Sequence, residues 1–517
     1  STSMTAQARY EQLAVQRTPF TERAEEAARY TIPTLFPAEG ETAGREFPTP
    51  YQSVGARGVN HLASKFLLVL FPPGSSFFRM TLDDFVVEEL RNSSPTAKAA
   101  EDARAAMEEA LSKIERAVMN RMEQRGSRSV LFLLLLHLIV AGNGLLQVLP
   151  DGALKFYSLR QYVVKRDLDG NVLEIITKET LSRAALPDKV RLIVERTDVQ
   201  AQDANPEKSV DLYTRVMRFP NGGWRSYQEV CGERIPGTES QYPKNKSAFI
   251  PLRYSVVPGE DYGRGYVEAY LGDLRSLESL SKSVVDFAAV AARILFLVPF
   301  GSQTDLQELE EAPNGAFVHG DRKEVTALGL EKFPDFQIAK STADEITHRL
   351  ELAFLLNSAV QRDAERVTAE EIRFMAGELE QSHAGAYSVL AQELQLPLAE
   401  RYMHQMARAG ELPALPEKTV RPQIVTGIDG LGRTTDLMKL DTLFAGVSKL
   451  FGPDAVASAT NINAYIQRGA AHLGIDISGI VKTPEEMQQE RAQSAQQDLL
   501  NRVAPEVVKA ATAQPAT

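Results

Sequence analysis

Cysteine is nearly absent: Cys231 stands alone in 517 residues. That excludes an intramolecular disulfide framework and any multi-cysteine metal site, and it suits folding in a reducing compartment. Cys231 itself reads as a small, partly buried side chain. Long hydrophobic runs are equally scarce. The one membrane-like run, VLFLLLLHLIV from Val130 to Val140, is eleven residues long, roughly half of what a spanning helix needs, and lengthening it brings in His137, Asn143 and Gln147. It is expected to be a buried core helix, and no membrane is expected among the partners. The first stretch, STSMTAQARYEQLAVQR, is polar and lacks the hydrophobic segment of a secretory signal. Cations are outnumbered: 57 Lys and Arg against 68 Asp and Glu give a net charge of −11. That balance argues against tight nucleic-acid binding through broad phosphate neutralisation, while leaving contact with DNA open.

Catalytic signatures are missing too. The histidines His61, His137, His319, His348, His383, His404 and His472 are scattered, with no HExxH and no pair at metal-ligand spacing on a helix. Each is read as a structural or surface residue. No GxSxG elbow occurs. Gly263-Arg264-Gly265 lacks the third glycine of a dinucleotide fingerprint, since Glu268 stands there, and Gly315 to Gly320 is followed by Asp321-Arg322 where a phosphate loop needs Lys and Ser or Thr. Asp167 to Asn171 faintly resembles a calcium loop but misplaces the glycine and lacks the closing glutamate, so a hairpin turn is expected. The carboxylate pairs Asp83-Asp84, Glu88-Glu89, Glu310-Glu311 and Glu370-Glu371 fall in solvated or helix-start contexts. No catalytic residue, metal or cofactor is expected, and the chain reads as something other than an enzyme.

What is present is helix, interrupted by one β-rich stretch, so the fold class is mixed α+β and helix-rich. Length suggests about three domains. Residues 4–30 read as one or two helices broken at Pro19, residues 55–70 as a helix packed by Val59, Leu62, Phe66, Leu67 and Leu70, and residues 97–125 as a helix with Met107, Leu111, Ile114, Val118 and Met122 on one stripe. Between Gln147 and Val257, short alternating segments around Asp169-Gly170-Asn171 and Asn221-Gly222-Gly223 predict hairpins. A second series follows: a helix over 263–298 with Val267, Leu271, Leu274, Val284 or Val285, Ala288, Ala292 and Leu295 on one face, short strands and turns over 299–334, a helix over 335–358, a charged loop over 359–367 and a very long helix over 368–409. Thr368-Ala369-Glu370-Glu371 fits a capping box, and Ile372, Met375, Leu379, Ala386, Leu390 and Leu394 form an apolar stripe. Unbroken, that helix would span roughly 60 Å, with a kink expected at Pro397. Residues 430–475 return to short helices, and the Gln- and Ala-rich end from the capping box Thr483-Pro484-Glu485-Glu486 is expected to fray.

Two plain readings compete for the long helix. A coiled-coil dimer is opposed by Gly377, Ser382, His383 and Gly385, which break the heptads. The core helix of a large all-α domain is harder to oppose from pattern alone. The loop weighs against it, because Arg362, Asp363, Glu365 and Arg366 place four charges in five residues between an apolar helix end and a capping box. Such a segment belongs on a surface or facing a water-filled space.

The strings YTIPTLFP (30–37), TPYQSVGARGVNHLASKFLLVLFP (49–72), HLIVAGN (137–143), YGRGYVEAYLGDLRSLE (262–278), LNSAVQRDAERVTAEEIR (356–373) and LAQELQLPL (390–398) carry a closer resemblance. With the order helix, β insert, helix, loop and long helix, the chain resembles the portal, or head-to-tail connector, proteins of short-tailed bacteriophages, podoviruses of the autographivirus type. The likeness covers most of the chain to about residue 480 and fades over 38–48, 184–210 and the C-terminal tail. It implies the portal fold assembled as a dodecameric ring around an axial channel: wing 1–260, stem helices 261–298 and 335–358, clip 299–334, tunnel loop 359–367, long wing helix 368–410, and crown and tail 411–517. It further implies double-stranded DNA in transit, a clip that docks first the terminase large subunit and later the tail adaptor, and a wing that meets major capsid, scaffolding and internal core proteins. The place implied is the portal vertex of the virion, after synthesis in the host bacterial cytoplasm.

A conduit must not grip its cargo, because each neutralised phosphate adds affinity that motion must overcome. Arg362 and Arg366 are therefore expected to touch phosphates weakly at the narrowest point, offset by Asp363 and Glu365. Pairing of those arginines with neighbouring subunits is the plain alternative. Lys282 and Arg293 are further channel candidates or inter-subunit ion pairs, and Ala288, Ala289, Ala291 and Ala292 would let stem helices approach closely. Asp305, Glu308, Glu310, Glu311, Arg322 and Lys323 are the candidate clip docking surface. The rival readings are a helix-rich scaffold that recruits partners without enclosing DNA, and a nuclease-like packaging component using Asp83-Asp84 or Glu310-Glu311.

Overall fold

The computed structural model describes residues 4–512 except 41–43, 198–207, 245, 294, 329–332, 357–367, 384, 413–422, 428–429, 431–432 and 474. In chain order the first elements are α1 (Ala6–Arg29), α2 (Val54–Leu70), β1 (Arg79–Thr81), α3 (Asp84–Ser93), α4 (Ala97–Gln124) and α5 (Ser127–Ala141). A β-rich stretch follows: β2 (Asn143–Val148), β3 (Leu154–Tyr157), β4 (Tyr162–Arg166), β5 (Val172–Ser182), α6 (Asp188–Thr197), β6 (Ser209–Arg218), β7 (Trp224–Val230), β8 (Glu233–Arg234), β9 (Ser240–Tyr242) and β10 (Phe249–Arg253). Next come α7 (Leu271–Ala291), β11 (Leu295–Leu297), α8 (Leu306–Glu311), β12 (Thr326–Leu328), α9 (Phe333–Ala353), α10 (Ala369–Ser382), α11 (Ala386–Leu390) and α12 (Leu396–Arg408). The last are β13 (Gln423–Val425), α13 (Arg433–Phe451), α14 (Pro453–Ala459), α15 (Ile462–Leu473) and α16 (Pro484–Thr512). The class is helix-rich α+β.

These elements form two compact units, where length alone suggested about three domains. The first gathers residues 1–70, 125–367 and 374–401, the second residues 71–124, 368–373 and 402–517. In the first, α5 is the centre. Its run of leucines is buried on nearly every side, from Leu131 to Ala141, so it is the core helix expected from its length. A three-stranded antiparallel sheet, β10-β2-β3, continues from it, and a larger antiparallel sheet runs β4-β5-β6-β7-β8 with β9 on β7. Its hairpins turn where the glycines said they would. Asp167 closes the first turn by accepting from the amides of Asp169 and Asn171 with one oxygen and from the Asn171 side chain with the other. That is an Asx turn; among the described residues no metal-binding cluster occurs.

In the second unit α15 packs along α4, and the polar ties between them are specific. Arg468 bridges Glu101 and Glu108 at 3.0 Å each, Asn461 Nδ2 donates to Asp102, and Ser112 Oγ donates to the Ala471 carbonyl. β1 pairs with β13 across more than 340 residues of chain, Arg79 opposite Val425, and Glu115 accepts from the Met80 amide at 2.6 Å. Both capping boxes are present: Thr368 and Glu371 exchange bonds, as do Thr483 and Glu486.

Several elements differ from expectation, each for a local reason. α1 runs through Pro19 unbroken. The missing proline donor falls on the wet side of the helix, beside exposed Val15, while Tyr10, Leu13, Ala24 and Ala27 bury the other side on both flanks and hold the helix together. The long helix after Thr368 is not continuous. α10 stops at Ser382, and Gly385, at φ 80°, starts α11. Glu380 secures that break by accepting from the Ser388 amide and hydroxyl at 2.9 and 2.7 Å. In place of a simple kink at Pro397, residues 391–395 form a π turn directly before it, which absorbs the missing donor and lets Gln395 Nε2 reach the Leu70 carbonyl at 2.6 Å. Ile372, Met375, Leu379, Ala386, Leu390 and Leu394 are all buried, so the stripe survives both breaks. The C-terminal stretch is helical as α16 rather than frayed, with nearly its whole length in solvent. Cys231 is exposed, not partly buried: it sits at φ 50° beside Gly232 in the tight turn between β7 and β8.

Candidate channel and docking elements

The chain enters α7 through a buried junction. Asn143, the first residue of β2, accepts from the Gly263 amide at 2.7 Å and donates to the Gly263 and Ala141 carbonyls at 2.8 and 3.2 Å. The two backbones cross so closely that a Cβ on Gly142, itself at φ 77°, would stand 2.3 Å from Arg264, and one on Gly265 2.6 Å from the Val140 carbonyl. Glycine is needed at both for that approach. Arg264 then leaves the junction and spans Glu260 and Glu268, each at 2.8 Å, which raises its pKa through hydrogen bonding to Glu260 first. The glycines that failed as a dinucleotide fingerprint are thus a backbone crossing.

α7 starts a few residues later, after a 3-10 turn at Val267–Tyr270. It ends at Ala291, earlier than the 298 expected, because Leu295–Leu297 leave the helix to pair as β11 with β12. Only its first part is buried, through Leu271, Leu274 and Leu277. α9 packs beside it: Phe287 stacks on Phe336 with centroids 4.7 Å apart, and Arg349 pairs with Asp273 at 3.0 Å. Beyond Leu277 much of α7 lies bare, including Val285, Val290, Ala288, Ala289, Ala291 and Ala292.

The segment joining α7 and α9 is β11, α8 and β12, so one of the expected short strands is a helix. It is held by Glu324, whose carboxylate accepts from the hydroxyls of Ser302 and Thr304 at 2.7 Å each, and those bonds lower its pKa. Phe296, Phe300 and Phe317 stand in solvent around it. Sequence reasoning did not single out these three; their signal was aromatic residues in a Gly- and Pro-rich stretch, where no periodicity could bury them.

The expected site residues fall into three groups. Arg362, Asp363, Glu365 and Arg366 lie outside the described residues. Lys282 and Arg293 are exposed on or just after α7, with no ion pair among the described residues. Of the docking set, Glu308, Glu310, Glu311, Arg322 and Lys323 are exposed, while Asp305 spends its carboxylate as the N-cap of α8, accepting from the Gln307 and Glu308 amides.

Where α9 ends, Phe354 is fully buried against Tyr266 and directly over Gly58, whose Cβ position is 2.5 Å from the Phe354 ring. Tyr266 also donates to the Ala353 carbonyl at 2.7 Å. Leu355 follows at φ 58°, a rare conformation for leucine. His383 completes this aromatic group, 4.5 Å from Tyr266, and burial lowers its pKa to about 4.

Residues 3–481 match the family described as bacteriophage head to tail connecting protein. The chain belongs to this family, the portal proteins. Its relatives include the portal proteins of Escherichia phage T7, 41% identical over 94% of this chain and 90% of that one, and of Enterobacteria phage T3, 41% identical over 95% and 91%. The portal protein of Enterobacteria phage SP6 is 33% identical over 94% of this chain and 92% of its own. Among solved structures, the neck of an empty gene transfer agent particle covers 82% of this chain and 90% of its own at 12% identity, with a TM-score of 0.39, too loose a likeness to argue from. As a portal protein the chain is a structural connector of podovirus type. No single helix among the described residues is long and apolar enough to cross a membrane.

Proposed function

We propose that copies of this portal protein close into a dodecameric ring at one capsid vertex, and that double-stranded DNA passes through its axial channel during packaging and ejection. The observation that carries the reading is the bare surface of α7 and the segment after it. Val285, Val290, Leu295, Phe296, Phe300 and Phe317 are exposed in the single chain, and neighbouring copies set side by side would cover such a surface. The alanines of α7 allow close approach there. On this reading α7 and α9 are the stem, 299–334 the clip and 359–367 the tunnel loop, with 1–260 and 368–410 in the wing and 411–517 in the crown and tail.

The chemistry of the channel follows from charge. A chain of net charge −11 repels DNA in bulk and lets it slide, with Arg362 and Arg366 supplying weak phosphate contacts and Asp363 and Glu365 offsetting them. Lys282 and Arg293 face either the channel or a neighbouring stem. The acidic, aromatic clip surface, Glu308, Glu310 and Glu311 with Phe300 and Phe317, docks the terminase large subunit and later the tail adaptor. Major capsid, scaffolding and internal core proteins meet the wing. Negative-stain imaging of the purified protein with mass determination tests this: rings of about a dozen subunits with an axial hole are expected, and a stable monomer or compact dimer, with and without capsid and scaffold partners, would overturn it.

A further inference from the structure

The first unit holds a cavity that the ring reading leaves unused. It measures about 580 Å³ and opens where the β4–β5 and β6–β7 hairpins turn, beside the π turn before α12. Its volume lies in the range of ligand and side-chain pockets. The floor is apolar, formed by Val172, Phe249, Ile250 and Pro397. The rim is cationic. Arg218 and Lys244 stand there, and neither side chain has an ion pair or hydrogen bond among the described residues. Beside them is Trp224, the one tryptophan in the chain, paired across strands with Tyr242.

Of the carboxylates nearby, two are engaged with other groups. Glu393 is paired with Arg253 through one oxygen at 3.3 Å, Asp167 uses both oxygens in its own turn while its charge also acts on Arg218, and burial raises the pKa of Glu400. Arg166 adds a further positive charge from inside, held by the Asp261 and Gly170 carbonyls. On the same two hairpins, Leu168 stands 90% exposed at one tip and Phe219 38% at the next. In a chain with eleven excess negative charges, this is a local surplus of unpaired cations around an apolar pocket and a tryptophan.

We infer that this cavity is a docking site for an acidic polypeptide segment of another protein, one that seats an apolar side chain on Phe249, Ile250 and Pro397 while flanking Asp or Glu residues meet Arg218 and Lys244. Charge complementarity selects the occupant, and an aromatic with arginine around a desolvated pocket is the composition of interface hot spots. Duplex DNA is the other anionic candidate, but the apolar residues of the pocket offer a backbone of phosphates nothing to bury, whereas a peptide side chain packs on them.

Trp224 makes the test direct, because its emission is the tryptophan signal of the full-length protein. Synthetic hexapeptides with two acidic residues on each side of a Phe-Leu or Ile-Leu centre are titrated against it, alongside the same peptides with lysine in place of every acid and a short DNA duplex. A saturable change with the acidic peptides is expected, weakened about tenfold or more in the double variant Arg218→Ala/Lys244→Ala and by raised salt. No response, an equal response to the lysine peptides, displacement of the peptides by duplex DNA, or an emission that changes with protein concentration alone because a second copy covers the pocket, would each overturn the inference. The outcome is separable from ring closure, which imaging of the same samples reports.

Discussion

Replacing Asn143 should show how firmly the segment leading into α7 is rooted. Asn143 is 1% exposed, and its amide satisfies the buried N–H and C=O of Gly263 and helps the Ala141 carbonyl. Asn143→Ala strands two backbone groups where water cannot reach them, at about 1–2 kcal/mol each, so a loss of roughly 2–4 kcal/mol is expected. At about 2 °C per kcal/mol for a unit of this size, Tm falls by roughly 4–8 °C. Asn143→Asp sharpens the argument. The introduced carboxylate keeps the acceptor for the Gly263 amide but faces two carbonyls with a negative charge, and only its protonated form can donate to them. Its folded-state pKa is therefore raised above the unfolded value near 4, so the variant is least stable at neutral pH and its deficit against the parent narrows as pH falls toward 5. Differential scanning fluorimetry at pH 7.5 and 5 reads both effects. An Asn143→Ala variant melting within about 1 °C of the parent, or an Asn143→Asp deficit that does not depend on pH, would refute the junction as the root of that segment.

Three further outcomes are expected. His137 is buried against Phe36 and Phe156, and desolvation lowers its pKa to about 4; its contribution is complete above the unfolded value near 6.5 and is lost as pH falls toward 4, about 2 kcal/mol by pH 5. His137→Phe should therefore flatten part of the acid-side fall in Tm, His383 supplying another part, and an unchanged pH profile would contradict this. Glu324→Ala removes the acceptor that ties Ser302 to Thr304, so amide exchange over 299–306 should speed up and adaptor docking weaken while rings persist; loss of rings would place Glu324 between subunits instead. Arg362→Gln/Arg366→Gln should alter DNA retention or packaging with ring assembly intact, whereas failure to assemble would show that these arginines pair with neighbouring subunits.

Local rules made much of this legible. Two capping boxes, the glycine turns of the large sheet, the buried leucine helix and the apolar stripe from Ile372 to Leu394 each depend on residues within a few positions of one another. The misses come where distant contacts override local ones. Pro19 should break a helix by its own chemistry, yet burial on both flanks of α1 keeps the helix whole. The end of α7 depends on β12, some thirty residues further on, and the break at Gly385 on a carboxylate five residues earlier that could as well have served a straight helix. The junction itself was on view as HLIVAGN and YGRGYVE, two strings noted for likeness to a family. Nothing within either string says that Asn143 and Gly263 meet.

That meeting spans 120 residues, and between its halves lie nearly all the strands of the first unit. Closing it early would cost the loop entropy of the whole intervening chain, so the junction locks after the hairpins have paired and drawn its two ends together. The order expected in a new chain is therefore sheet first, junction second, and the direction of α7 last. In the proposed ring, a subunit stalled with an unfinished sheet would present α7 with no fixed origin, a poor match to the regular spacing of its neighbours. Assembly of that ring would then be its own inspection step, admitting finished subunits and passing over the rest.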